Sequence, residues 1–119
     1  MNRASIASAT IREIGAARRA EADGRFDEAR RCLELAHVLG QEAFRLHFRV
    51  HLAMLGLALR QGDLPEMRAQ VARLALTPVG HLTGRLPRFN AGSGRVSAFA
   101  PMDWPPELDR ATLERIRRG

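Results

Sequence analysis

Several residue types are missing or rare in this chain, and each absence narrows the fold and the chemistry. There is no tyrosine, all nineteen basic residues are arginine, and aromatic residues make up 5% of the 119 residues. With so few aromatic side chains, the core must consist mainly of leucine, alanine, valine and isoleucine, which is typical of packed helices. The single cysteine, Cys32, excludes an intramolecular disulfide and a cysteine-only zinc cluster.

Long apolar runs are also missing. No segment approaches the length of a membrane-spanning helix, and charges at Arg12 and Glu13 interrupt the N-terminal region where a secretory signal would be apolar. We therefore expect a soluble, cytoplasmic protein with a single domain over residues 1–119. The formal net charge of +6 permits an anionic partner. Nucleic-acid binding is nevertheless not expected, because the arginines are spread over several predicted helices and stacking aromatics are scarce.

Apolar residues recur at helical spacing through the first two thirds of the chain. The pattern predicts an all-α fold with a four-helix core over residues 5–76, in which Gly24 and Gly62 separate the two helices of each pair. The predicted helices cover about residues 5–22, 26–39, 41–60 and 65–76. Pro78 and Gly80 are expected to close the helical region.

Residues 77–108 differ in composition from the helical region. Glycine and proline are frequent there, charges are few, and large apolar side chains are scattered throughout. A free linker would rarely contain so many apolar groups. We expect an ordered, irregular arm laid across the helices, with a short strand or turn near 95–99, followed by a short C-terminal helix at 109–118.

The two helix pairs resemble each other. The segment GRFDEAR at 24–30 aligns with GDLPEMR at 62–68, thirty-eight positions later. This likeness predicts two αα-hairpins, packed as a small bundle or stacked like a tetratricopeptide array. Such a scaffold suggests one hypothesis for function, an adaptor without metal that binds a partner protein or forms a homodimer.

The residues that could ligate a metal lie on the two middle helices. His47 and His51 are four positions apart within an apolar stripe of the third helix, so their imidazoles stack one turn apart. Glu34 and His37 form an E-x-x-H pair on the second helix, and a short turn after Gly40 would bring that pair close to the two histidines. The predicted metal ligands are Glu34, His37, His47 and His51. Further candidate ligands are His81, Gln41 and Glu13.

Nitrogen and oxygen donors of this kind suit zinc, iron, nickel, copper or cobalt, and the sequence does not select among them. A site of this kind could sequester a metal, contribute to metal resistance or, with a second ion, support an oxidative reaction. The competing interpretation is that the histidines are neutral core residues bonded to backbone carbonyls or to Glu34. No nucleophile motif is recognisable, so the sequence identifies no catalytic residue and leaves open whether the protein is an enzyme.

Several strings of residues resemble a family of small bacterial proteins, domain-of-unknown-function family 3703. The strings are AHVLGQ at 36–41, HLTGRLP at 81–87 and VSAFAPM at 96–102. The residues that match the family pattern position by position include Glu34, His37, Gln41, His47 and His51. Where the family pattern reads P-x-G-N, this chain has PRFN at 87–90, so the turn there differs. The resemblance implies no known activity, but it does imply an association with metal-resistance functions.

Overall fold

The computed structural model describes residues 2–83, which form four helices joined by short turns. The helices are α1 (Arg3–Ala22), α2 (Phe26–Gly40), α3 (Phe44–Gln61) and α4 (Leu64–Thr83). Over these residues the predicted all-α fold of two hairpins is confirmed, because α1 packs mainly on α2 and α3 mainly on α4. None of the four described helices is long and apolar enough to cross a membrane. The predicted arm from residue 84 onward and the helix at 109–118 lie outside the described residues.

Local interactions explain where the helices begin and end. The Oδ1 atom of Asn2 accepts a hydrogen bond from the backbone N–H of Ser5 (2.8 Å) and so caps α1. Gly24 and Gly62 have φ angles of 75° and 66°. Glycine adopts this left-handed conformation without the steric cost of a β-carbon. The two glycines therefore allow the chain to reverse within each hairpin.

The apolar core is formed by the first three helices. Its buried members are Ile14, Ala17, Ala20, Ala29, Leu33, Ala36, Val50, Met54 and Leu57. The many alanines allow the helix backbones to approach closely. At the protein surface, Arg60 on α3 binds both carboxylate oxygens of Glu21 on α1, at 2.6 and 2.9 Å. Because exposed ion pairs contribute little, the apolar contacts dominate the stability of this part of the bundle.

The fourth helix joins the bundle through a polar face. Its buried residues are Gln70, Arg73 and Thr77, and Glu66 and His81 are half-buried at the same helical spacing. Among the described residues, the apolar core cluster contains no member of α4. The helix therefore brings polar groups to the interior of the protein.

The fourth helix is also longer than the sequence predicts. The expected end at Leu76 is wrong, because α4 continues through Pro78 to Thr83. Proline has no N–H to donate to the preceding turn, which normally disfavours a helix. Here the hydroxyl of Thr77 donates to a backbone carbonyl one turn earlier (2.6 Å), and His81 contacts α3 beyond the proline. The contact with α3 stabilises the turn that follows the proline, so His81 lies on a helix and not in the arm.

Three helices approach each other closely at the end of α2. A β-carbon on Gly40 would lie 3.0 Å from the β-carbon of Leu46 on α3 and 3.1 Å from Cγ2 of Thr10 on α1. Thr10 is fully buried, and its hydroxyl donates to the carbonyl of Ile6 (2.8 Å). A side chain at position 40 would therefore force Leu46 or Thr10 to shift by a few tenths of an ångström.

We expect Gly40→Ala to lower the free energy of unfolding by about 1–3 kcal/mol, the usual cost of overpacking. The matched control is Gly15→Ala, since a β-carbon there would meet only the flexible guanidinium of Arg19, at 3.5 Å. The control should raise the free energy of unfolding by about 0.5–1 kcal/mol, because alanine favours helix more than glycine does. Urea denaturation followed by circular dichroism measures both values. Equal effects at the two positions would contradict close packing at Gly40.

Candidate metal centre

Three buried imidazoles meet between α2 and α3, and we call His37, His47 and His51 the histidine cluster. The Nε2 atom of His37 is 3.0 Å from that of His47 and 3.2 Å from that of His51. The Nε2 atoms of His47 and His51 are 3.1 Å apart. The three residues are 3%, 5% and 2% exposed, so water has little access to their nitrogens.

The turn between α2 and α3 brings these rings together. It occupies residues 41–43, and the backbone N–H of Ala43 donates to the carbonyl of Gly40 (3.1 Å). His37 lies three residues before the end of α2, and His47 lies three residues after the start of α3. Both rings are therefore about one helical turn from the corner, where two antiparallel helices face each other. The second imidazole of α3 follows one turn later on the same side.

Hydrogen bonding alone cannot satisfy the histidine cluster. Each nitrogen of a neutral imidazole is either a donor or an acceptor. Three nitrogens in mutual contact must therefore include at least one pair of the same kind, with two N–H groups or two lone pairs facing each other. Such a pair repels, and the low dielectric of the protein interior screens that repulsion poorly. A cation that all three lone pairs face would remove this conflict.

The spacing of the three nitrogens suits a transition-metal ion. A triangle with sides of 3.0, 3.1 and 3.2 Å has a centre about 1.8 Å from each corner. An ion at the usual zinc–nitrogen distance of about 2.0–2.1 Å would lie about 1 Å from the plane of the nitrogens. The cluster could thus hold one metal ion, with three nitrogen ligands on one side of it.

Helix α4 supplies a polar contact to one of the three rings. The Nδ1 atom of His51 is 2.7 Å from Oε1 of Gln70, and Nε2 of Gln70 donates to Oε1 of Glu66 (2.7 Å). An amide oxygen only accepts hydrogen bonds, so the hydrogen in the first contact belongs to Nδ1 of His51. The neutral ring then has a lone pair on Nε2, and that lone pair points into the cluster.

A fourth histidine touches the cluster from the last turn of α4. The Nε2 atom of His81 is 2.9 Å from Nδ1 of His47, on the side of the ring that faces away from the other two histidines. His81 is half-buried and packs edge-on against Phe44, with ring centroids 5.4 Å apart. In this position His81 contacts the outer nitrogen of His47 and can orient that ring.

Burial favours the neutral form of these imidazoles. It lowers the pKa of His47 to about 3, an effect to which the neighbouring rings of His51 and His81 add. Burial likewise lowers the pKa of His51 to about 4; the hydrogen bond to Gln70 opposes this shift, and the charge of Arg73 adds to it. Burial also lowers the pKa of His81. Neutral imidazole is the form that binds a metal, so near neutral pH a metal need not displace the second proton of an imidazolium at His47 or His51.

The remaining predicted ligands lie outside the group of three nitrogens. Glu34 is half-buried on α2, one turn before the cluster, and Gln41 is buried just after the end of that helix. Glu13 lies on α1, where burial raises the pKa of its carboxyl group and the thiol of Cys32 donates a hydrogen bond to it. Cys32 itself packs beside the apolar core. The structure thus brings together three of the four principal predicted ligands, and the role of Glu34 remains a prediction.

The sequence analysis did not identify Gln70 and Arg73 as groups that act on His51. Both belong to a polar stripe of α4 whose spacing is helical. The stripe consists of Glu66, Gln70, Arg73, Thr77 and His81. Apolar residues such as Val71 and Val79 are more than half exposed on the same helix. This inverted pattern was available in the sequence, but the predicted helix end before Pro78 separated His81 from the other residues of the stripe.

Comparison with known proteins identifies the family but no activity. The model of one family, described as a protein of unknown function (DUF3703), matches residues 4–112. No curated protein and no solved structure matches the chain significantly.

We expect the metal-free protein to lose stability as the pH falls from about 6.5 to about 4. In this range the unfolded chain protonates its histidines, whereas folded His47 and His51, with pKa values of about 3 and about 4, remain neutral. The unfolded state then binds more protons, so the free energy of unfolding decreases, by at most about 1.4 kcal/mol per pH unit for each group.

Urea denaturation in the presence of EDTA, at several pH values, measures this slope. The control is His47→Ala/His51→Ala, in which the slope between these pH values should be shallower because both groups are gone. If the two proteins had the same slope, burial of neutral imidazoles would not be its cause.

Proposed function

This chain belongs to the DUF3703 family of proteins of unknown function, and we propose that it binds one transition-metal ion through His37, His47 and His51. The observation that supports this proposal most strongly is the mutual contact of three buried imidazole nitrogens at 3.0–3.2 Å. No assignment of protons to neutral rings satisfies all three contacts. One cation accepts all three lone pairs and removes the conflict.

The donor set limits the kind of ion. Three neutral imidazoles suit zinc, copper, nickel, cobalt or iron(II), and they are poor ligands for calcium or magnesium, which prefer oxygen. Three histidines also leave room for a further ligand on the ion. We propose Glu34 for that position, because it lies one turn before His37 on the same helix. A carboxylate would also offset part of the charge of a buried divalent ion.

The burial of the cluster supports a role in metal sequestration, and through it in metal resistance. Each of the three histidines is at most 5% exposed. A small chelator cannot reach an ion held there without movement of the surrounding helices. Such a site retains its metal when competing ligands are present outside, which is what a sequestering protein requires.

The alternative function, an adaptor that binds a protein partner or a second copy of the chain, has less support. Large exposed apolar side chains occur on all four described helices. Examples are Ile11 on α1, Phe26 on α2, Leu52 on α3 and Val71 on α4. Half of the ten large exposed apolar side chains among the described residues lie on α4, and these are the candidates for such an interface. The adaptor hypothesis remains a prediction.

We expect tag-free protein to bind about one equivalent of Zn²⁺ or Co²⁺ and to unfold at a higher temperature when the ion is bound. His47→Ala/His51→Ala should bind neither ion tightly, since it keeps one of the three nitrogens. The matched control is Arg45→Ala/Arg49→Ala, which removes two exposed side chains at the same spacing on α3. Isothermal titration calorimetry and elemental analysis measure the stoichiometry. Binding that is equal in all three proteins, or absent from the wild type, would refute the proposal.

We also expect release of the bound ion to be limited by opening of the protein. With a chromogenic chelator in excess, the release rate should then be independent of chelator concentration. Stopped-flow absorbance measures this dependence. A rate that increases in proportion to the chelator would mean that the site is directly accessible, and sequestration would lose its structural basis.

A further inference from the structure

The side chain of Gln70 occupies a position with only one chemically consistent orientation. It is 0% exposed, and its amide lies between Nδ1 of His51 and a carboxylate oxygen of Glu66, at 2.7 Å from each. A carboxylate only accepts hydrogen bonds, so the NH₂ group of the amide must face Glu66. The amide oxygen must therefore face His51.

This orientation determines which nitrogen of His51 has the hydrogen. A carbonyl oxygen facing Nδ1 requires a hydrogen there, and a neutral imidazole has only one. Nε2 of His51 is thus unprotonated and directs its lone pair toward His37 and His47, 3.2 and 3.1 Å away. The other tautomer would place an N–H in the centre of the cluster, where it would exclude a cation.

We infer that Gln70 and Glu66 are positioning residues that hold His51 in the tautomer required for metal binding. The inference rests on the proposed function for its purpose, although the tautomer itself can be measured without metal. Outer hydrogen bonds of this kind orient a ligand ring and increase its basicity. Glu66 also places a negative charge two hydrogen bonds away from the proposed ion. Gln70 transmits the effect of that charge through its amide.

A purely structural role for Gln70 makes a different prediction. If its only function were to satisfy buried polar groups, its replacement would lower stability without changing the protonation of His51. The tautomer of the histidine and the metal affinity distinguish the two roles, whereas a stability measurement alone does not.

The first experiment records long-range ¹H–¹⁵N correlation spectra of the histidine rings in the metal-free, full-length protein. We expect wild-type His51 to have its hydrogen on Nδ1, and Gln70→Leu to shift the population toward the Nε2–H form. The matched control is Arg68→Leu, an exposed substitution on the same helix, which should leave the spectrum of His51 unchanged. If His51 kept Nδ1–H in Gln70→Leu, the inference would be wrong.

The second experiment restores the interaction with its two partners exchanged. In Glu66→Gln/Gln70→Glu, the amide at position 66 can donate to the carboxylate at position 70, which in turn accepts from Nδ1 of His51. We expect Gln70→Leu to weaken Co²⁺ or Zn²⁺ binding about 10- to 100-fold in a chelator competition. The exchanged variant should recover most of that loss, together with the Nδ1–H tautomer and the visible absorption spectrum of the Co²⁺ complex.

The two experiments separate the inference from the proposed function. If the wild type binds metal and Gln70→Leu binds it equally well, the positioning role is refuted while the metal site stands. If the wild type binds no metal, the proposed function fails. The spectra of His51 then still decide whether Gln70 sets the tautomer.

Discussion

The contact of three imidazole nitrogens away from water is the constraint on which the rest of this structure depends. In water each nitrogen would find its own partner, and no conflict would arise. Inside the bundle the cost of desolvation disfavours protonation, so His47 and His51 stay neutral over the physiological pH range. The helices must then supply enough packing energy to hold together three groups that cannot all satisfy one another.

Apolar packing and buried polar contacts occupy different parts of the bundle. Apolar burial is concentrated in α1, α2 and α3, where small residues such as Ala17, Ala29 and Ala36 allow close helix contacts. The polar groups are concentrated between α2, α3 and α4. Among the described residues, α4 contributes buried polar groups but no member of the apolar core cluster. Its contacts with His47 and His51 therefore help to hold it on α3. An ion bound there would strengthen the attachment of α4 to the other helices, because the ligands contact Gln70 and His81.

The cluster is connected outward on two sides of α3. On one side the hydrogen bonds run from His51 to Gln70 and then to Glu66. On the other, the outer nitrogen of His47 meets half-buried His81. Both connections end near the protein surface, and through them groups from α4 contact the outer nitrogens of His47 and His51. Under the proposed function, these outer contacts would hold the ligands in place before an ion binds.

The amino-acid sequence by itself determined the features that depend on neighbouring residues. Helical periodicity, the reversals at Gly24 and Gly62, and the pairing of His47 with His51 all follow from local spacing, so they could be predicted. Only the tertiary structure decided that α4 continues past Pro78 and turns a polar stripe inward, because His47, which His81 contacts beyond the proline, lies on another helix. The choice of Gln70 as the partner of His51 likewise depends on how two helices pack, which the pattern of either helix alone does not specify.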